Sequence, residues 1–174
     1  MKLLGPISIY LWGFVSMVAF SALQGCDPLA HRDLAVTPSI CPVNLQGGYV
    51  SSEFGYRVHP IFGKRKLHEG IDLAVDEGTP VVATANGVVT YAEEEKGYGK
   101  IVRVDHGGQL VSGYAHNSKL LVQVGEYVVK GQIIALSGKT GNVTGEHVHY
   151  EVRYKDKALN PRRFLPQIVE SQKP

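Results

Sequence analysis

Beyond Gly48, apolar and polar residues alternate in short β-branched runs punctuated by glycine, the two-residue period of half-buried strands. Lys100-Ile101-Val102-Arg103-Val104-Asp105-His106 shows it best, and Gly107-Gly108 turns that run into Gln109-Leu110-Val111-Ser112-Gly113-Tyr114-Ala115-His116. The runs 80–85 and 87–92 flank Asn86-Gly87, a tight-turn pair, so the pattern predicts a hairpin across it. Strands are also predicted at 127–129, 132–136 and 147–154. No stretch after residue 48 keeps an apolar face through three helical turns. The expected fold class is all-β, mostly antiparallel, built as packed sheets or a small barrel.

Residues 1–25 break this pattern. Lys2 is their only charge and an apolar body spans 7–20, the arrangement of a secretory signal and also long enough for a membrane-spanning anchor. The domain that follows is thus expected outside the cytoplasm. Leu23-Gln24-Gly25-Cys26 resembles a bacterial lipoprotein signal, although Gln24 stands where a small residue is usual. That resemblance implies lipidation of Cys26 and attachment to the outer side of the cytoplasmic membrane, in the periplasm or cell envelope. The alternative joins Cys26 to Cys41, the only other cysteine, in a disulfide. Residues 26–48, broken by Pro28, Pro38 and Pro42 and closed by Gly47-Gly48, read as a linker in which His31 and Cys41 carry no function. Its length also permits an arm folded over the site. The working domain is expected at 49–166, with a tail at 167–174.

Composition adds little to this division. A net charge of +2 over 174 residues gives no footprint for nucleic acid, and 20 glycines with nine tyrosines fit many turns and half-buried strands.

The candidate chemistry lies in two stretches. In a strand, His147 and His149 of Glu146-His147-Val148-His149-Tyr150-Glu151 point to one face, and Glu151 shares their parity as a candidate hydrogen-bond acceptor behind a ligand. His68-Glu69-Gly70-Ile71-Asp72 differs from the helical zinc motif, because Asp72 replaces its second histidine and Gly70 weakens a helix. Read as straight strand, it holds His68 and Asp72 roughly 13 Å apart, too far for one metal, so the chain is expected to bend at Gly70. A histidine, an aspartate and one histidine of the later pair leave a fourth tetrahedral position open, as in catalytic zinc sites; non-haem iron uses the same donor types.

Taken in order, Ser51-Ser52-Glu53-Phe54-Gly55-Tyr56-Arg57, His68-Glu69-Gly70-Ile71-Asp72, Gly78-Thr79-Pro80-Val81, Tyr114-Ala115-His116, Gly138-Lys139-Thr140-Gly141 and His147-Val148-His149-Tyr150-Glu151 resemble the LytM/lysostaphin-type zinc metallopeptidases of the M23 group, which cut peptides of bacterial cell walls. The resemblance spans roughly two thirds of the chain and implies a lysostaphin-type β domain, like a duplicated hybrid motif or barrel-sandwich. It implies that His68, Asp72 and His149 bind one zinc ion, with His116 and His147 as catalytic residues beside the attacked carbonyl. The implied substrate is a peptidoglycan peptide, with D-amino-acid cross-links favoured over glycyl-glycine. The alternative is a non-catalytic LytM-type regulator of another wall hydrolase, a group that lacks some of the five positions filled here. A third reading follows from the likeness of 124–132 to lipoyl- or biotinyl-carrying domains, which leaves those five positions without a role.

Other polar residues are expected to be structural. His59 and His106 read as turn residues or groove walls, and 63–66 as a solvated basic loop. Tyr114 reads as packing with a hydroxyl available to substrate, and 137–141 as no phosphate loop, since no helix follows.

Overall fold

The computed structural model describes residues 35–58 and 63–165. The N-terminal apolar run, Cys26, His31, His59 and the tail at 167–174 lie outside the described residues. Thirteen strands follow one another: β1 (Tyr49–Ser52), β2 (Gly55–Val58), β3 (Arg65–His68), β4 (Ile71–Ala74), β5 (Pro80–Val82), β6 (Gly87–Glu95), β7 (Gly99–Asp105), β8 (Leu110–Asn117), β9 (Lys119–Leu120), β10 (Tyr127–Val128), β11 (Ile133–Leu136), β12 (Val148–Tyr154) and β13 (Lys157–Leu159). A 3₁₀ turn at Pro161–Arg163 is the only helical element among the described residues, and none there is long and apolar enough to cross a membrane.

The strands form an antiparallel sheet in the order β1-β4-β12-β8-β7-β6-β10 with β13 beside β12, a three-stranded sheet β5-β11-β9, and the hairpin β2-β3. The all-β, antiparallel expectation is met. β12 lies at the centre, paired with β4 on one side and β8 on the other. Its even-numbered side chains Val148, Tyr150 and Val152 are fully buried, and so are the odd-numbered His149 and Glu151 nearly so. One parity feeds the core and the other the groove described below.

The expected hairpin at Asn86-Gly87 is not formed. β5 pairs with β11 while β6 pairs with β7 and β10, so the dipeptide is a corner that passes the chain between sheets. Its contacts explain the residue types: Asn86 Oδ1 accepts the Lys130 N–H at 2.7 Å, and a Cβ on Gly87 would stand 2.4 Å from the Asp105 carbonyl. Residues 35–48, read as linker, run along the free edge of β5. Ser39 N–H reaches Thr84 O at 3.2 Å, Val82 N–H reaches Pro42 O at 2.8 Å, and Pro42 and Val43 are buried. The prolines lack N–H groups of their own, so this strap covers an edge without offering a new one.

Tyr114 and His106 turn out to belong to a buried polar chain. Thr84 Oγ1 lies 2.9 Å from both the Tyr114 and Tyr150 hydroxyls, Ser112 Oγ links Tyr114 at 2.8 Å to His106 Nε2 at 2.7 Å, and His106 Nδ1 bonds the Asn86 carbonyl. Burial drives both phenol pKa values up, so both stay neutral donors. The Tyr114 hydroxyl is therefore spent inside the core, away from substrate. Replacing Thr84 by Val would strand the buried Tyr150 hydroxyl, while that of Tyr114 keeps Ser112 Oγ and the Thr84 N–H, and is expected to cost about 1–3 kcal/mol in urea unfolding, with Thr84→Ser much closer to wild type.

Candidate metal centre

The register of β12 against β4 sets Asp72 directly opposite His149. His68 arrives from the end of β3 after the chain bends at Gly70, as the spacing demanded. Glycine is needed there for a second reason: a Cβ would stand 2.4 Å from the Tyr150 carbonyl and 2.8 Å from Cε1 of His149, whose ring covers the bend. The result is a tight triangle. His68 Nε2 is 3.1 Å from Asp72 Oδ1 and 3.1 Å from His149 Nδ1, and His149 Nδ1 is 2.8 Å from Asp72 Oδ1.

Hydrogen bonds behind the triangle decide what it presents. His68 Nδ1 lies 2.8 Å from the Glu53 carbonyl, which accepts only, so the proton is on Nδ1 and the Nε2 lone pair faces inward. His149 Nε2 lies 3.0 Å from Glu151 Oε1 and donates to it, turning its Nδ1 lone pair inward as well. Three acceptors thus meet with their lone pairs together, an arrangement stable only with a positive charge among them. The electrostatics agree. Burial would lower the His149 pKa, but bonds to Asp72 and Glu151 raise it to about 9. Burial would raise that of Asp72, yet His149 and His68 hold it well below the carboxylate range. Two imidazole nitrogens and a carboxylate oxygen fit a small divalent cation, since a tetrahedral site with bonds of about 2.0–2.1 Å spaces its ligand atoms ~3.3 Å apart. These are the three residues expected as ligands.

The two remaining histidines of the expected set stand beside this triangle. The ring centroids of His116 and His147 are 4.7 Å apart, and His147 Nε2 is 3.6 Å from Asp72 Oδ1. His147 sits just before β12, in a bridge to Gly138. Each ring is anchored through Nδ1–H on a carbonyl, His116 on Thr140 and His147 on Gly145, both at 2.9 Å. Burial, reinforced for His116 by His147 and His149, lowers both pKa values, that of His116 to about 4. Both are neutral near pH 7 with Nε2 free to take a proton. His116 has φ of 66°, a left-handed conformation unusual for its type, held by its N–H to the Tyr98 carbonyl at 2.9 Å and by the Thr140 anchor. The glycine-rich stretch 137–141 thus serves to carry Thr140.

Glu151, 3% exposed, accepts from His149, from the Tyr98 hydroxyl at 2.8 Å and from Arg153 at 3.0 Å. Burial would raise its pKa, but these donors lower it to about 2, so it stays a carboxylate. Arg153 also holds Glu69 at 3.0 Å, and Arg57 reaches Asp72 Oδ2 at 3.4 Å. Tyr98 and Arg153 were not singled out from the sequence, and Arg57 stood there only as the last residue of a matching stretch, with no role given. Only Arg153 offered a cue, sharing strand parity with His149 and Glu151. The whole assembly opens into a groove of about 540 Å³.

The cluster of His68, Asp72 and His149, open to a groove on an antiparallel β domain, could hold a metal ion. Residues 66–161, more than half of the chain, match the model for peptidase family M23. The chain belongs to that family. It is 44% identical over 127 residues to the DD-carboxypeptidase/endopeptidase Mpg of Neisseria meningitidis serogroup B, a match covering 71% of this chain and 29% of that protein. It is 43% identical over 101 residues to the murein hydrolase activator NlpD of Escherichia coli, covering 58% and 26%. The chain therefore spans less than a third of either relative. Among solved structures, the catalytic domain of the antimicrobial peptidase lysostaphin from Staphylococcus simulans superposes with a TM-score of 0.63 at 32% identity, covering 69% of this chain and 93% of that one. The lysostaphin-type fold is thereby met, and the family is zinc-dependent.

A cation entering the triangle must displace the His149 proton. Metal uptake below pH 9 is expected to release about one proton and to tighten roughly tenfold per pH unit up to about pH 9, then level off. Calorimetric titration in buffers of different ionisation enthalpy counts that proton.

Proposed function

We propose that this chain is a zinc metalloendopeptidase of bacterial peptidoglycan, with His68, Asp72 and His149 holding one zinc ion and His116 and His147 as its catalytic residues. The carrying observation is the triangle of inward lone pairs at 2.8–3.1 Å with two neutral imidazoles beside it. Zinc there supplies a Lewis acid that makes water nucleophilic near neutral pH. His116 and His147, with Nδ1–H pinned on carbonyls, keep an Nε2 lone pair to accept the proton of the attacking water and pass it to the leaving amine. Glu151, steadied by Tyr98 and Arg153, fixes the ring of His149.

Likeness to a DD-carboxypeptidase/endopeptidase favours D-amino-acid cross-links as the bond cut, over glycyl-glycine. Likeness to a murein hydrolase activator favours the cell envelope, with the chain held at the membrane through lipidated Cys26 or an N-terminal helix. The likeness to a murein hydrolase activator supports a second reading, a non-catalytic regulator; the complete set of five side chains weighs against it.

Zinc content together with release of fragments from purified sacculi separates the two, and mass analysis of digested muropeptides identifies the bond. His149→Ala is expected to lose zinc and turnover together. His147→Ala is expected to keep zinc and lose turnover by about 10²–10⁴-fold. Near-normal turnover of His147→Ala would overturn its assignment.

A further inference from the structure

Charge in the groove is unevenly compensated. Its lining includes the carboxylates of Glu69, Asp72, Glu146 and Glu151, and every one is bonded: Asp72 and Glu151 to His149, Glu69 to Arg153, and Glu146 to Lys139 at 3.5 Å and to the Glu77 N–H at 2.8 Å. The lining cations are Arg57, Lys66 and Lys96. Arg57 leans on Asp72, whereas among the described residues no carboxylate lies within 4.0 Å of either lysine. Both lysines are exposed. The free charge of the groove is therefore positive.

The placement of Lys66 is costly to the fold. In the β2-β3 hairpin it is the direct cross-strand partner of Arg57, and it shares strand parity with His68. Two cations opposite one another on one face of an antiparallel pair repel. An anion lying in the groove would offset that repulsion. Lys96 stands in the turn between β6 and β7, two residues before Tyr98, whose hydroxyl reaches Glu151. A peptide lying in the groove meets both lysines, which line it.

We propose that Lys66 and Lys96 select peptides that carry free carboxylates beside the bond to be cut, in preference to neutral ones. This deepens, and rests on, the peptidase reading of the same site. An acidic peptide gains two charge-assisted contacts and relieves the Arg57–Lys66 repulsion, whereas a glycine-only bridge gains neither.

The test uses the zinc-loaded full chain and two synthetic cross-linked peptides. One bears acidic carboxylates, and its twin has each of them converted to carboxamide. Binding is read by fluorescence anisotropy and cleavage by chromatography with mass detection. The carboxylate form is expected to bind about tenfold tighter at low salt, with the preference shrinking severalfold near 0.5 M salt. In the Lys66→Gln/Lys96→Gln protein the ratio is expected to approach one. Lys66→Gln alone is expected to melt no lower than wild type, which separates loss of selectivity from loss of folding. Equal binding of the two peptides by wild type, or a ratio unchanged in the double variant, overturns the proposal. A carboxylate preference without cleavage of either peptide upholds it and sinks the peptidase reading instead.

Discussion

Three lone pairs forced to within 2.8–3.1 Å of one another are what the rest of this domain serves. Such a cluster is repulsive unless a positive charge, the His149 proton or a cation, sits among its atoms, and β-sheet pairing with hydrogen bonds behind each ligand fixes its geometry from outside. The register of β4 against β12 supplies Asp72 and His149 as a directly opposed pair. Glu53 and Glu151 choose which nitrogen of each ring is bare. The cluster is thus held ready for a cation by parts that never touch it, which limits reorganisation when one arrives.

The same logic extends outward. Glu151 is a buried carboxylate, costly unless fully bonded, and Tyr98, Arg153 and His149 saturate it. His116 is kept in a left-handed conformation by Thr140, from a loop whose Gly141 packs against Gly99 of β7 too closely for a side chain on either. Local strain at the site is offset by hydrogen bonds in loops that look featureless in sequence.

How much of this was legible follows from the range of each interaction. Alternation marked β7, β8 and β12, and the parity of His147, His149 and Glu151 was visible because it is a property of one strand. His68 and Asp72 stood out by residue type, and Gly70 by its place between them, though the ring of His149 over that glycine is a contact across 79 residues and left no local trace. Asn86-Gly87 misled, since the dipeptide favours a tight turn whether the strands it joins pair with each other or with strangers. The strap at 35–48 read as linker because its prolines remove donors, yet covering the edge needs only a few bonds, two accepted at Ala35 and Pro42 and one donated by Ser39. Tyr98 was unreadable, because its role exists only once β7 and β12 lie in one sheet.

β12 is used on both sides at once, its even residues tying Tyr150 into the Thr84 hydroxyl chain and its odd residues building the ion cluster. Most strands can exchange faces at the price of some packing. Here a slip by a single residue would send His149 among core side chains and a tyrosine into the cluster, breaking two polar systems together. The alignment of this strand is therefore proofread twice. Insertions and deletions within 148–152 have nowhere to be absorbed, and the turn at 144–146 just before it is tied as well, since the Gly145 carbonyl anchors His147.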